Sequence, residues 1–512
     1  MTADARKKFK LGGVVFPTPL FSYQAAGIWK MTHADHLGLF DEQGMGKAIQ
    51  ALYATHYLKR VGEIDATLIT CPSYLVDTWG EQIREHLPAA TRVQVLAHQQ
   101  RNKRAWRDDA DYYILNYELL GRTSVTWTSM RGLDHDNAWR MLARRSMAII
   151  GDETQYISNI DANVTQSLCR LATRAKRRYA LTGTPVAEHP ENVWSQFLFL
   201  DGGALLGKNY SAFVKRYCVT RQIAMRDAVI TKIIGYKHLR ELHKKIGAAS
   251  IRRTKEQYQK DLPPKMARPL HPRPSPPHAK LLRGMSAKLL DSLESIMVHG
   301  NMRKFGELSG QIQAMHRAAA MPDLIDPSIT NNVKLNLLEE YLSGYDGQCV
   351  VWTHHRDVGQ LLYATLRKRR LAGGLVLVQG GMQKSVKSAA LNAFKDGKTK
   401  TLIASTPALS EGENRLIGAS YAFYFQLSSS LKQWRQSQDR FQRIGSKGQA
   451  GGAHKGMIVL DVPLLHGSLD PHTWTYILQK GGNADIVTEG RRAQRVEHNE
   501  AESLRRYLKE VV

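Results

Sequence analysis

M-A-I-I-G-D-E, from Met147 to Glu153, runs from an apolar stretch straight into two acids. A short apolar run without alternation, ended by polar residues, marks a strand buried on both faces, as in a parallel sheet covered by helices. The pattern recurs upstream in A-T-L-I-T-C-P from Ala66 and Y-Y-I-L-N-Y from Tyr112, and R-R-Y-A-L-T-G-T-P from Arg177 ends the series. From about Val333 it restarts, with Q-C-V-V-W-T (Gln348), G-L-V-L-V-Q-G (Gly374), T-L-I-A-S-T (Thr401) and A-F-Y-F-Q-L (Ala422). Two such series predict an α/β chain of two parallel-sheet domains with helical insertions between them. The first domain is placed at residues 1–260, with a helical insertion at about 190–250. A connector and a helical insertion fill 261–332, the second domain 333–480, and a charged extension 481–512. Leu262 to Pro277, L-P-P-K-M-A-R-P-L-H-P-R-P-S-P-P, is too rich in proline for a helix and reads as an extended connector.

Bulk properties agree. At 512 residues the chain exceeds what one core ordinarily holds. No apolar run nears the ~20 residues that span a bilayer. The start, M-T-A-D-A-R-K-K-F-K, lacks the apolar stretch of a signal peptide. Cys71, Cys169, Cys218 and Cys349 lie far apart, which argues against a zinc module or disulfide framework and for a reducing compartment. The expected setting is the cytoplasm. Lys plus Arg number 72 against 46 acids, a formal charge of +26. That excess favours a polyanion, because each cation on a phosphate releases condensed counterions. The clusters Arg174–Arg178, Lys237–Lys255 and Arg367–Arg370 each read alone as a solvated face; their sum points to nucleic acid. A membrane surface would go with a basic amphipathic helix, and none is evident.

Two motifs carry chemistry. In D-E-Q-G-M-G-K-A, Asp41 to Ala48, Gly44 and Gly46 flank Met45 and let backbone N–H groups turn inward around phosphate. Lys47 supplies a point charge, and the helix that follows offers its N-terminal dipole. Alone, this would be a short glycine-rich turn. It gains meaning from I-I-G-D-E-T-Q about one hundred residues on, where Asp152 is placed to hold magnesium and Glu153 to activate a water. L-T-G-T-P, Leu181 to Pro185, follows shortly after.

With these motifs the chain resembles the Snf family of DNA-dependent ATPases, within helicase superfamily two, over nearly its whole length. L-F-S-Y-Q-A-A-G-I (Leu20 to Ile28) is similar to the family's adenine-recognising element, which implies Gln24 as reader. L-I-T-C-P-S-Y-L-V-D-T-W (Leu68 to Trp79) resembles the segment that contacts one DNA strand, implying Pro72 and Trp79. L-T-G-T-P matches the segment that couples hydrolysis to movement, implying Thr182, Gly183 and Thr184. I-R-R-T-K through L-P-P-K (Ile251 to Lys265) resembles the start of the family's interdomain linker. V-V-W-T-H-H-R-D-V (Val350 to Val358), V-Q-G-G-M (Val378 to Met382) and S-T-P-A-L-S-E-G-E-N-R-L (Ser405 to Leu416) line up with the second motor domain. They imply Gly412 at the nucleotide. Q-S-Q-D-R-F-Q-R-I-G-S (Gln436 to Ser446) is similar to the last motif, which implies Gln436 at the nucleotide and Arg440 and Arg443 facing it from one helix face. Chemistry supports the pair, since a guanidinium stabilises the charge spread over a transferring phosphoryl group.

The resemblance implies two RecA-like domains, ATP and Mg²⁺ as cofactors, and double-stranded DNA, branched or forked DNA included, as partner of a monomeric motor at the nucleoid of a bacterial or phage-infected cell. Six positions depart from the family's pattern. Ala48 stands where a Ser or Thr hydroxyl ligates magnesium; Thr154-Gln155 replace Ala-His; Glu411 and Asp439 replace glycines; Ser446 replaces a glutamine. Ala48 keeps a second reading open, a nucleotide-dependent DNA-binding switch with little hydrolysis, whereas Glu153, Arg440 and Arg443 argue for the motor. An RNA helicase fits the layout but not the long middle insertions. Fork or branch remodelling, strand annealing and displacement of bound proteins all stay open.

Overall fold

The computed structural model of the chain describes residues 7–96, 106–122, 124–126, 129–131, 133–224, 229–258, 262–299, 303–369, 373–409, 415–442, 456–490 and 500–512. The chain divides into two compact units. The first holds Met1–Val219, Tyr236–Asp261 and Asn483–Gln494; the second holds Thr220–Gly235, Leu262–Gly482 and Arg495–Val512.

In the first unit, β1 (His36–Leu39), β2 (Ala66–Cys71), β3 (Val93–Leu96), β4 (Tyr112–Asn116), β5 (Met147–Asp152), β6 (Arg177–Leu181) and β7 (Ser250–Ile251) build one sheet. Its order is β7-β1-β6-β5-β2-β4-β3, with every neighbouring pair parallel. Register aligns Ile251 with Leu39, Leu39 with Leu181, and Leu181 with Asp152. The segments that follow these four strands therefore open at one edge of the sheet, the edge where parallel sheets bind ligands. Helices α1 (Ser22–His33) and α2 (Lys47–Arg60) pack together, and Ile28, Met31, Leu52 and Ala54 join Leu37, Leu39 and Ile150 in one core.

In the second unit, β8 (Lys265–Leu270), β9 (Cys349–Thr353), β10 (Leu375–Val378), β11 (Thr401–Ser405), β12 (Tyr421–Tyr424) and β13 (Ile458–Pro463) form a parallel sheet in the order β8-β13-β12-β9-β11-β10. Val351, Val358, Leu362, Ile403 and Phe423 fill its core.

Three sequence expectations need correction. The proline-rich stretch is not only a connector, because it contains β8. As an edge strand β8 has one neighbour, so Pro269 forfeits no ladder bond on the open side. Pro276 and Pro277 open helix α4 (Pro276–His299), where the first turn needs no N–H donors. The insertion at 190–250 is not wholly helical. Cys218–Ala224 and Val229–Tyr236 pair as a two-stranded sheet ahead of helix α3 (Leu239–Ala248). Nor does an extension begin at 481. Helix α6 (Asp470–Glu489) runs through that point, and α7 (Glu500–Val511) docks Leu504 and Leu508 beside Leu289 and Leu293 of α4. Among the described residues no helix is long and apolar enough to cross a membrane.

Candidate nucleotide site

The loop between β1 and α2 turns through two left-handed glycines, Gly44 (φ 83°) and Gly46 (φ 72°). At Gly46 the requirement is also steric, since a Cβ would stand 2.3 Å from the Gln24 Nε2. Buried Met45, between them, accepts hydrogen bonds at its carbonyl from Gln24 Nε2 (3.2 Å) and the Tyr23 hydroxyl (3.2 Å). Gln24 also accepts at Oε1 from the Phe21 N–H (3.0 Å). The residue implied as adenine reader thus uses both ends of its amide to pin the loop to the first turn of α1. Lys47 begins α2 and donates to the carbonyls of Asp41 (2.8 Å) and Glu42 (3.2 Å). Loss of water lowers its pKa, and Glu153, Asp41 and Asp152 pull it back up. Ala48 is half-buried against the core.

Beneath the loop lies an ion pair that sequence reading left without a role. Asp41 is wholly buried, and Arg253, just past β7, forks onto it with Nε–Oδ1 2.8 Å and Nη2–Oδ2 2.5 Å. Arg253 also donates to the Tyr23 carbonyl and to Gln50 Oε1 (2.8 Å), and Gln50 Nε2 donates to Asp41 Oδ2 (3.2 Å). A Cβ on Gly27 would meet Gln50 Oε1 at 2.0 Å and Arg253 Nη2 at 2.8 Å, so any side chain there would displace this bonded group. The available signal was R-R-T-K itself, which the resemblance assigned to the linker. A forked, fully bonded pair of this kind fixes geometry more than it adds net stability.

β5 delivers the two acids. Asp152 accepts from the Trp79 indole N–H at Oδ2 (2.9 Å) and from the Glu153 N–H at Oδ1 (2.9 Å), and its carbonyl accepts from the Tyr117 hydroxyl (2.8 Å). Burial and the neighbouring Glu153 raise its pKa, while Lys47 lowers it. This corrects the reading of Trp79 and Pro72 as DNA contacts. Both are buried, and Trp79 orients Asp152; the exposed residues of the segment include Ser73 and Tyr74. Glu153 sits in the left-handed region at φ 53°, a conformation an ordinary side chain adopts only when its surroundings impose it. Gln155 Nε2 donates to Glu153 Oε2 (2.7 Å), Thr182 Oγ1 to Gln155 Oε1 (2.6 Å), and the Thr184 N–H to Thr182 Oγ1 (3.0 Å). A parallel line joins Thr154 Oγ1 to Gln196 Oε1 (2.8 Å), and Gln196 Nε2 to the Pro185 carbonyl (2.6 Å). The departures at Thr154 and Gln155 thus keep D-E-T-Q bonded to L-T-G-T-P. Gly183 presses on Gln43, whose Cγ would lie 2.6 Å from a Cβ.

In the second unit, Gln436 is fully buried, and neither polar atom of its amide has a partner among the described residues. The helix expected to carry both arginines, α5 (Leu431–Gln438), ends before Arg440, which is buried in the following turn. Asp439, where the family has glycine, caps that helix and pairs with Lys265 (3.2 Å), while Gln442 donates to the Pro263 carbonyl (3.0 Å). The proline-rich segment therefore braces the arginine motif. Arg443, Gly412, Glu411 and Ser446 lie outside the described residues.

The donor set fits magnesium. Each Asp152 oxygen accepts one N–H and keeps a lone pair, and a single carboxylate with phosphate and water is a usual magnesium environment. Among the described residues no three metal-ligating side chains cluster.

Residues 23–314 match the SNF2-related domain, and residues 333–445 match the helicase conserved C-terminal domain. The chain is similar to the DNA annealing helicase and endonuclease ZRANB3 of Homo sapiens, 24% identical over 456 residues, covering 88% of this chain and 39% of that protein. It is also similar to the SWI/SNF-related matrix-associated actin-dependent regulator of chromatin subfamily A-like protein 1 homolog of Caenorhabditis elegans. That protein is 23% identical over 437 residues, with 84% of this chain and 57% of the relative covered. The chain thus spans about two fifths of the first of these relatives and under two thirds of the second. A solved structure, the Sulfolobus solfataricus SWI2/SNF2 ATPase core in complex with dsDNA, shares 21% identity over 93% of this chain and 94% of that one, with a TM-score of 0.40.

Proposed function

We propose that this chain, which belongs to the SNF2-related family, is an ATP-hydrolysing motor that moves on double-stranded DNA. The observation that carries the reading is the hydrogen-bonded line from Glu153 through Gln155 to Thr182 and Thr184. It ties a water-activating acid to the segment assigned to movement, a connection that a simple binding switch does not need. In this reading the loop amides and Lys47 bind the phosphates, and Glu153 orients the attacking water and takes its proton. Arg440 and Arg443 stabilise the charge that develops on the transferring group. Asp152 would hold magnesium, which when bound neutralises phosphate charge. The switch reading is not favoured, because it rests on Ala48 alone.

Restoring a ligand at that position is a direct test. Threonine costs only about half a kcal/mol against alanine in a helix, while a ligand effective in the transition state is worth ~1–3 kcal/mol. Ala48→Thr is expected to raise DNA-stimulated phosphate release about tenfold or more and to lower the magnesium it requires. A magnesium titration of both forms with duplex DNA reads this, and equal rates with equal magnesium demand would remove Asp152 and residue 48 from the metal site.

For DNA, the +26 charge supports backbone contact by dispersed Lys and Arg rather than base reading. Affinity should fall steeply with salt and vary little between unrelated sequences. A flat salt dependence in a filter-binding or anisotropy titration would refute it. Exposed Ser73 and Tyr74 replace Pro72 and Trp79 as the proposed contacts of their segment. Forked or branched duplex comes first among substrates, since the human relative is described as a DNA annealing helicase. ATPase rates with duplex, single-stranded, forked and RNA ligands, compared side by side, test the whole reading. Equal stimulation by RNA, or none by any DNA, would overturn it.

A further inference from the structure

The end of α6, which belongs to the first unit, borders a cavity of about 350 Å³ in that unit. Phe40, Pro185 and Ile246 supply its apolar lining, and Thr488 and Glu489 another part of its wall. Among the described residues, two directional polar ties help to set where this turn of helix sits. Arg252 Nη2 donates to Glu489 Oε1 at 3.1 Å, with both side chains only 15% exposed. His243 Nδ1 lies 2.9 Å from the Val487 carbonyl. Gly490 closes the turn at φ 68°, so near His243 that a Cβ would stand 2.9 Å from its Nε2.

Arg252 has a second set of partners. Its Nη1 donates to the Phe40 carbonyl at 2.8 Å and to the Gly183 carbonyl at 3.0 Å. Phe40 directly precedes the phosphate loop, and Gly183 is the centre of L-T-G-T-P. One planar guanidinium thus bonds the roots of two loops of the nucleotide site and the end of α6, all within the first unit. A fork presenting several donors in fixed directions suits this; a lysine ammonium would not.

We infer that Arg252 is a positioning residue for nucleotide hydrolysis and that Glu489 is the latch that holds it against Phe40 and Gly183. The inference rests on the hydrolytic reading above, so its test carries one measurement that does not depend on turnover. Glu489→Ala, Glu489→Gln, Arg252→Ala and the double Arg252→Ala, Glu489→Ala are compared with the parent at saturating duplex DNA. Glu489→Ala should lower kcat about fivefold or more while the KM for ATP stays within about twofold, and the Gln variant should fall between. Because the two residues act through one contact, the double variant should be no slower than Arg252→Ala alone. Amide hydrogen exchange read by mass spectrometry should rise at residues 182–185 in Glu489→Ala. Unchanged kcat, a multiplicative double variant, or a loss shared equally between KM and melting temperature overturns the latch. A parent chain that hydrolyses no ATP overturns the hydrolytic reading instead. Exchange then decides the latch alone: faster exchange at 182–185 upholds it, and unchanged exchange ends it.

Discussion

Glu153→Gln should leave nucleotide binding within a few-fold of the parent and cut DNA-stimulated hydrolysis by about a hundred- to ten-thousandfold, the usual worth of a positioned general base. The substitution is nearly isosteric, and the reason for so large an effect is local. Gln155 donates to Glu153 Oε2, so a glutamine at 153 keeps that bond only by turning its carbonyl oxygen toward Gln155. Its NH₂ then occupies the position where an acceptor must face the attacking water. The line to Thr182 survives while the base is lost. Phosphate release with duplex DNA and binding of a fluorescent ATP analogue read the two quantities separately. Hydrolysis at the parent rate would strip Glu153 of its role.

Asp41→Ala should destabilise the first unit by about 3–5 kcal/mol, the cost of leaving a buried charge without its partner. Arg253 would retain Gln50 and the Tyr23 carbonyl but lose both carboxylate bonds, in a site that water does not reach. The cost belongs to the stranded guanidinium and not to the pair, so Asp41→Ala combined with Arg253→Met should be milder than Asp41→Ala alone. Urea denaturation of the three proteins measures this. A single variant within 1 kcal/mol of the parent, or a double variant worse than the single, would show that the pair does not anchor the loop.

Legibility in the sequence followed length and locality. The long buried strands β2, β5 and β6 declare themselves by their apolar runs, and the Asp-Glu pair and T-G-T-P lie at the ends of β5 and β6. β7 has two residues, too few for any periodicity, and it is a strand only because β1 offers it an edge. β8 was hidden by its prolines, which an edge tolerates. The site divided along the same line. Lys47, Asp152 and Glu153 are adjacent to motifs, whereas Asp41 meets Arg253 across 212 positions, a pairing that only the folded sheet creates. Trp79 misled for a related reason. Its place in a DNA-contacting segment is a matter of alignment, but the direction of its indole is set by the sheet order, which puts β2 beside β5 and Trp79 over Asp152.

The first unit is discontinuous along the chain, and that sets a clock on its assembly. Arg252 and Glu489 are 237 positions apart. At ribosomal rates of ~5–20 residues per second, roughly 10–50 s separate the synthesis of the two. Through that interval the nascent first unit lacks its closing turn of helix, while the second sheet, whose strands all lie between β8 and β13, is being completed. The unit that begins first is therefore closed only after the second sheet has been made. Any nucleotide bound to the growing chain would meet a site with its loops formed but Arg252 not yet paired, so the order of translation defers the completed site until Glu489 has been made.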